Sequence, residues 1–441
     1  MSNVAEIVNR VVAFRPRASA LGEGGRLLRG GSLTIADQVV ASGTTFATGV
    51  LIGRICSKEE FGLYMLGFSV VTFLMTIQAS LVSTPYMIYF PRTDEATRPR
   101  LTGSALLFQM VLAACAAVII GVVAFGAWIF TSTPGMPSML AALAAAILFL
   151  LLRDFIRQIC FARLEVMHAF GFDVSVAGCQ LLALGALAIV GWMNASSALI
   201  ALGLACALGA SGWYWTHRDS IQVHLPSAAA DFSRAWVSGK WLFASGLVWS
   251  ISMNLYAWLI VGFHGAASVG AWGVAVGTVT LLNPFMLGLQ NYLGPHIMHA
   301  HTPNDMRSLA RAVTSSTVLY AGSLLMFSVL MYLFGDQLVV AIYGSKYAGG
   351  GPVVAILSLN LVFLAIGFCV SRGLFAMEKA SLDFRVNFVA LATMIVLGVT
   401  LSRNYGPLGA ALGQVATSAT AAVVRTAVFA ATLRRTRRAL T

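Results

Sequence analysis

The chain has 441 residues, 58% of them hydrophobic and 10% charged, with a mean hydropathy of +0.83. A soluble domain carries about 25% charged residues, so this composition excludes a water-facing globule and places most of the surface against lipid. The net charge of +12 would suit nucleic acid, but the basic residues line one membrane face, which excludes that partner and points to topology and anionic headgroups.

Residues 1–32 hold Arg10, Arg15, Arg17, Arg26 and Arg29 and no apolar core, so they read as a basic cytoplasmic segment rather than a cleavable signal. A membrane crossing needs about 20 residues. Apolar segments follow at 33–53, 61–89, 103–130, 137–160, 172–193 and 196–216. A polar stretch at 217–239, containing Pro226, divides the chain as a cytoplasmic linker. Six more segments follow at 240–263, 269–292, 309–334, 352–376, 384–402 and 408–432, then a basic tail at 433–441. The expected architecture is an all-α polytopic membrane protein of about 12 transmembrane helices. It forms two six-helix lobes, 33–216 and 240–432.

Of 28 lysines and arginines, 23 fall in every second gap between segments, with Arg153, Arg157 and Arg163 counted among them. The other gaps hold only Arg54, Lys58, Lys346 and Arg403, and Arg425 lies inside the last segment. Basic loops stay cytoplasmic, so both termini are expected there. The extracytoplasmic loops are short, the longest running from Gly335 to Gly351. That leaves no room outside for the polar catalytic domain of a polymerase or ligase, and no nucleophile–base constellation appears, so an enzyme is not expected. The six cysteines form no CxxC pair and read as small buried side chains.

The halves echo one another. Leu51-Ile52-Gly53-Arg54 before Phe61-Gly62-Leu63-Tyr64 has a shifted counterpart in Leu259-Ile260-Val261-Gly262 before Val269-Gly270-Ala271-Trp272. Pro85 is answered by Pro295. Six crossings separate the copies, which implies a parallel repeat.

Polar side chains inside the spans are the candidate site. Asp37, Ala41, Thr44 and Thr48 recur at helical spacing on helix 1, widened by Gln38, Ser42 and Thr45. Helix 2 carries Ser69, Thr72, Thr76, Ser80 and Ser83, and helix 7 carries Ser245, Ser252 and Asn254. Together they suggest a hydrated cavity, although serine and threonine also bond back to their own helix. Arg425 needs a carboxylate, a phosphate or water. Asn283-Pro284 predicts a break in helix 8. Arg153, Asp154 and Arg157 read as a local ion-pair network. His296, His299 and His301 have metal-like spacing but only Asp305 nearby, and read as an ordinary loop. Gly22–Gly31 lacks phosphate-binding spacing. No metal is expected.

Specific elements resemble the Wzx-type polysaccharide flippases of the multidrug/oligosaccharidyl-lipid/polysaccharide exporter superfamily. They are Ala36-Asp37-Gln38, Gly43-Thr44-Thr45-Phe46, Leu51-Ile52-Gly53-Arg54 and, most specific, Glu59-Glu60-Phe61-Gly62-Leu63-Tyr64. Ile342-Tyr343-Gly344 with Tyr347, and Tyr405-Gly406-Pro407-Leu408-Gly409-Ala410-Ala411, continue the likeness. The resemblance implies a V-shaped alternating-access transporter in a bacterial inner membrane, moving polyprenyl-diphosphate-linked oligosaccharide to the outer leaflet. It also implies glycosyltransferases and a polysaccharide polymerase as pathway partners, with membrane lipid around the protein. Arg54 matches the family's arginine at the end of helix 1, and Arg425 is the deep cation available to a diphosphate. The alternative is a cation-coupled small-molecule or drug antiporter of the same fold. In either case no cofactor is expected beyond coupling to H+ or Na+, with Asp37 as the candidate carboxylate.

Overall fold

The structure, a computed structural model, describes residues 23–131, 133–300 and 306–440, and these contain helices and no strand. Arg10, Arg15, Arg17, His301 and Asp305 lie outside the described residues. The helices are α1 (Glu23–Ile55), α2 (Lys58–Arg92), α3 (Arg98–Phe130), α4 (Met136–Ala162), α5 (Val166–Val190) and α6 (Ala195–His217) in the first half. The second half holds α7 (225–264), α8 (266–299), α9 (Met306–Tyr343), α10 (Gly351–Ala376), α11 (380–405) and α12 (407–440).

Among the described residues nine helical stretches are long and apolar enough to cross a membrane. Two of them, Gly246–His299 and Ser381–Thr436, change direction at Gly265 (φ 78°) and Gly406 (φ 56°), whose positive φ favours glycine. With α1 they give twelve legs, matching the predicted segments.

Several boundaries differ from the sequence reading: α1 begins at Glu23 rather than at 33, and α12 runs through the basic tail to Leu440. The expected loop Gly335–Gly351 is helical as far as Tyr343. The polar Gly335-Asp336 reads as a helix end, but Asp336 instead accepts hydrogen bonds from the backbone of Gly349 (2.8 Å) and Gly351 (3.1 Å), holding the start of α10. The stretch 217–239 is helical from Leu225 onward, so only a short connector follows α6.

The helices pack by small residues, since lipid removes the usual hydrophobic drive between them. A Cβ on Gly203 of α6 would sit 2.7 Å from the Ala146 Cβ of α4. Outward, α3 presents Val118, Ile119, Val122, Val123 and Trp128, all exposed and suited to acyl chains. Basic alternation predicts the turn after α9 outside and the start of α7 inside. A cysteine at the exposed Ser345 should react with an impermeant thiol reagent in intact cells, and one at Ser227 should be shielded. The reverse pattern would sink this orientation.

Candidate functional site

The deepest polar feature is an ion-pair network in the first lobe. Asp37 of α1 is fully buried and its Oδ2 accepts from Arg157 Nη2 of α4 at 2.6 Å. Arg157 Nε lies 2.5 Å from Asp173 Oδ2 of α5, and Arg153 Nη2 donates to Asp173 Oδ1 at 2.7 Å. Asp154, on the same turn as Arg153, accepts from Gln78 of α2 at 3.1 Å, and Gln78 accepts from Gln109 of α3 at 3.2 Å. The local network expected on α4 therefore ties five helices together. Arg153 and Arg157, which alternation placed in a cytoplasmic gap, lie inside α4. Two arginines face three aspartates, a formal excess of one negative charge, and Asp37 Oδ1 is buried without a hydrogen-bond partner.

One face of the α1 arc packs into this lobe. Thr48 is buried and accepts from Gln180 of α5 at 2.7 Å. Gln38 bonds Ser42 (3.1 Å) and Thr44 bonds the Val40 carbonyl (2.7 Å), both half-buried. The second lobe has a matching charge pair: Arg425 Nε of α12 donates to Asp383 Oδ1 of α11 at 2.6 Å, and Nη2 to Asn387 at 3.0 Å. Asn283 is exposed at the start of Asn283–His299.

The lobes meet along α2 and α7. Thr72 donates to Asn254 Oδ1 at 2.9 Å, Trp258 Nε1 donates to Ser69 Oγ at 3.0 Å, and Thr76 bonds its own helix at the Thr72 carbonyl. Nearer the Arg54 end, contact becomes backbone to backbone. A Cβ on Gly62 would overlap the Ala266 carbonyl, and one on Gly270 the Lys58 carbonyl. Phe61 packs on Tyr343 and Tyr347, with ring centroids 6.3 Å apart in each pair. Arg54, in the last turn of α1, donates to the Ile342 carbonyl (2.6 Å) and the Ala341 carbonyl at the end of α9. Lys346, after α9, donates back to the carbonyls of Arg54 (3.1 Å) and Cys56. Each helix end is thus capped by a cation from the other lobe, where the macrodipole favours it. Within the first lobe, Glu60 accepts from the Ala195 backbone, at the start of α6, at 2.6 Å.

So the structure brings Asp37 to Arg157, Thr48 to α5, and Thr72 to Asn254, while Arg54 and Arg425 sit in separate places with protein partners. Sequence reasoning passed over Asp173, Asp383, Gln78, Gln109 and Gln180. The available signal was their position inside or at the margin of apolar spans, the same signal that singled out Asp37.

A cavity of about 300 Å³ opens beside the first lobe, lined by Phe90, Glu95, Arg98, Pro99, Arg163, Glu165 and Ser220. Arg98 and Arg163 both lie over the Phe90 ring, 5.2 and 5.9 Å from its centroid. Arg163 donates to Ser220 (3.1 Å).

Residues 27–289 match the family described as "Polysaccharide biosynthesis protein". A capsular polysaccharide biosynthesis protein, CapF, of Staphylococcus aureus is 20% identical over 224 residues, covering 50% of this chain and 56% of the relative. A probable low-salt glycan biosynthesis flippase, Agl15, of Haloferax volcanii is 22% identical over 174 residues, 38% of this chain and 36% of the relative. The matches thus span about half or less of the curated relatives. In fold, an inward-facing multidrug resistance MATE family transporter of the MOP superfamily superposes with TM-score 0.76 at 15% identity, covering 91% of this chain and 96% of the other. An outward-facing structure of a MATE family transporter gives 0.61 at 14% identity (93% and 96%). The lipid II flippase MurJ, inward closed, gives 0.68 at 13% identity (91% and 87%). At these identities the likeness establishes the fold, the V-shaped architecture of that exporter superfamily.

Proposed function

We propose, from the premise that this chain belongs to the polysaccharide biosynthesis protein family, that it is a flippase for polyprenyl-diphosphate-linked oligosaccharide. It would carry repeat units from the cytoplasmic to the outer leaflet for exopolysaccharide, capsule or O-antigen synthesis. Glycosyltransferases that build the unit and a polymerase that consumes it follow as partners. The observation that carries the reading is the junction of the lobes around Glu59-Glu60-Phe61-Gly62-Leu63-Tyr64. The element that resembles the flippases forms the interlobe contact that alternating access must open and close. Better superposition on an inward-facing than an outward-facing relative fits a junction closed on the outer side.

The test is direct. Proteoliposomes holding the purified chain and a fluorescent polyprenyl-diphosphate oligosaccharide should expose the sugar to an external lectin or glycosidase faster than protein-free vesicles. No acceleration with that cargo, alongside efflux of cationic drugs, would favour the antiporter instead.

Coupling follows from the first-lobe network. Its excess negative charge is relieved by one proton or one Na+, so Asp37 serves as a coupling carboxylate rather than a sugar ligand. Asp37→Asn keeps the shape, and Arg157 retains Asp173 as partner. The variant should reach normal abundance, yet its flipping should no longer respond to an imposed proton or Na+ gradient. A gradient response equal to that of the parent protein would assign Asp37 a structural role.

A further inference from the structure

We propose that Glu165, His168 and His217 form a binding site for a first-row divalent metal ion, Zn2+ foremost, at the end of the first lobe. The proposal goes beyond the flippase reading and does not depend on it. Glu165 directly precedes α5, and His168 follows at i+3, so the two side chains share a face. His217 closes α6. Glu165 Oε2 lies 3.5 Å from His168 Nδ1 and 3.9 Å from His217 Nε2. All three ligand atoms fall within 4.8 Å of one another. Around a tetrahedral Zn2+ with bonds of about 2.0–2.1 Å, ligand atoms sit about 3.4 Å apart. Small side-chain rotations close that difference.

Three further observations point the same way. Glu165 Oε2 is buried and makes no hydrogen bond. Such an oxygen is costly to leave unpaired, and the two histidines, at 3.5 and 3.9 Å, form an ion pair with it only when protonated. The His217 ring is already oriented. It stacks on Trp213 at 4.8 Å, and its Nδ1 lies 3.0 Å from the Trp213 carbonyl and 2.7 Å from Thr216 Oγ1, contacts that hold the ring with Nε2 on the Glu165 side. A ligating histidine is characteristically held through its other nitrogen in this way. Finally, the turn that aims Glu165 is strained: Leu164 adopts φ 60°, where glycine is usual, to close α4 through the Glu165 N–H to Cys160 carbonyl bond (2.8 Å).

The donor set selects the metal class. Two imidazole nitrogens and one carboxylate suit Zn2+ and its first-row neighbours. Mg2+ and Ca2+ want oxygen ligands throughout. A bound ion would pin the end of α6, and so the start of the connector to the second lobe, to the α4–α5 turn. Glu165 also lines the cavity holding Arg98 and Arg163, which puts the ion at the edge of that basic pocket.

The experiment uses the full chain in detergent, with any affinity tag removed, titrated with Zn2+ against a chromophoric chelator and with Co2+ by its visible absorption. One equivalent should bind, with tetrahedral Co2+ bands. His217→Ala, His168→Ala and Glu165→Gln should each weaken binding at least about tenfold, and a His296→Ala/His299→Ala control should leave it unchanged. Tryptophan thermal melts confirm that each variant is folded; Glu165→Gln, nearly isosteric, keeps the test open if a histidine variant is not. Absence of stoichiometric binding, binding undiminished in Glu165→Gln, or competition by millimolar Mg2+ would overturn the site. None of these readouts involves transport, so failure here is separate from failure of the flippase reading.

Discussion

Arg157→Leu is expected to remove most of the folded protein from the membrane. Arg157 holds two carboxylates at once, Asp37 at 2.6 Å and Asp173 at 2.5 Å, and both are fully buried. Deleting one partner of a buried pair costs about 3–5 kcal/mol because an uncompensated charge remains. Against a typical total stability of about 5–15 kcal/mol, that loss shows as degraded or aggregated protein. Arg157→Lys should recover only part, because an ammonium cannot bridge two carboxylates as a planar fork does. Removing charge in matched pairs should recover more. In Asp37→Asn/Arg157→Gln, Asp173 keeps Arg153 at 2.7 Å, and no new unpaired charge is created. Size-exclusion profiles of detergent extracts after a heating series measure this order: parent, double variant, lysine, leucine. A leucine variant as heat-resistant as the parent would mean that the network contributes nothing to the fold.

That network also shows where sequence stops being informative. The twelve segments were legible because bilayer thickness imposes a length and composition on each helix independently of its neighbours. The turns at Gly265 and Gly406 were legible as gaps between apolar windows. Whether a charge at a helix end faces water or a neighbour depends on where another helix lies, and that is a tertiary fact. Arg153 and Arg157 therefore counted as loop residues although they point at Asp37 and Asp173. Asp336 looked like a helix end because the N–H groups it caps, of Gly349 and Gly351, lie beyond the turn. Of the histidines with metal-like spacing, the two described ones lie in α8 rather than in a loop: His296 stacks on Tyr292, and His299 bonds the Pro295 carbonyl. His168 and His217, far apart in the chain, meet at one carboxylate. The arginines changed meaning for the same reason. Arg54 and Arg425 looked free to meet a diphosphate, and both are engaged within the protein.

Alanine at both Arg54 and Lys346 is expected to raise the labelling of Cys56 by a small thiol reagent about 3- to 30-fold, and to slow flipping. Each cation caps the last carbonyls of a helix in the opposite lobe. Such contacts at partly exposed helix ends contribute about 0.3–1 kcal/mol each, and 1.4 kcal/mol is a tenfold change in population. Losing both, about 0.6–2 kcal/mol together, therefore shifts the lobes toward opening at this end by about 3- to 30-fold. Cys56 sits between α1 and α2, is buried in the closed junction, and reports the change. Burial, followed by the Glu60 carboxylate, pushes its thiol up to about 11 from an ordinary 9.0, with Lys346 pulling the other way. Only the thiolate reacts, so the closed junction suppresses labelling through that upward shift as well as by burial. Opening restores both access and the ordinary thiol. The sign separates the two accounts of Lys346. If it merely neighbours Cys56 in a junction that stays closed, Lys346→Ala removes the lowering influence, raises the thiol further and slows labelling. If it holds the lobes together, the same substitution speeds labelling, and adding Arg54→Ala speeds it again. Mass spectrometry of the Cys56 peptide over time reads the rate without regard to the other cysteines. Slower labelling in both the single and the double variant would show that these cations do not hold the junction shut.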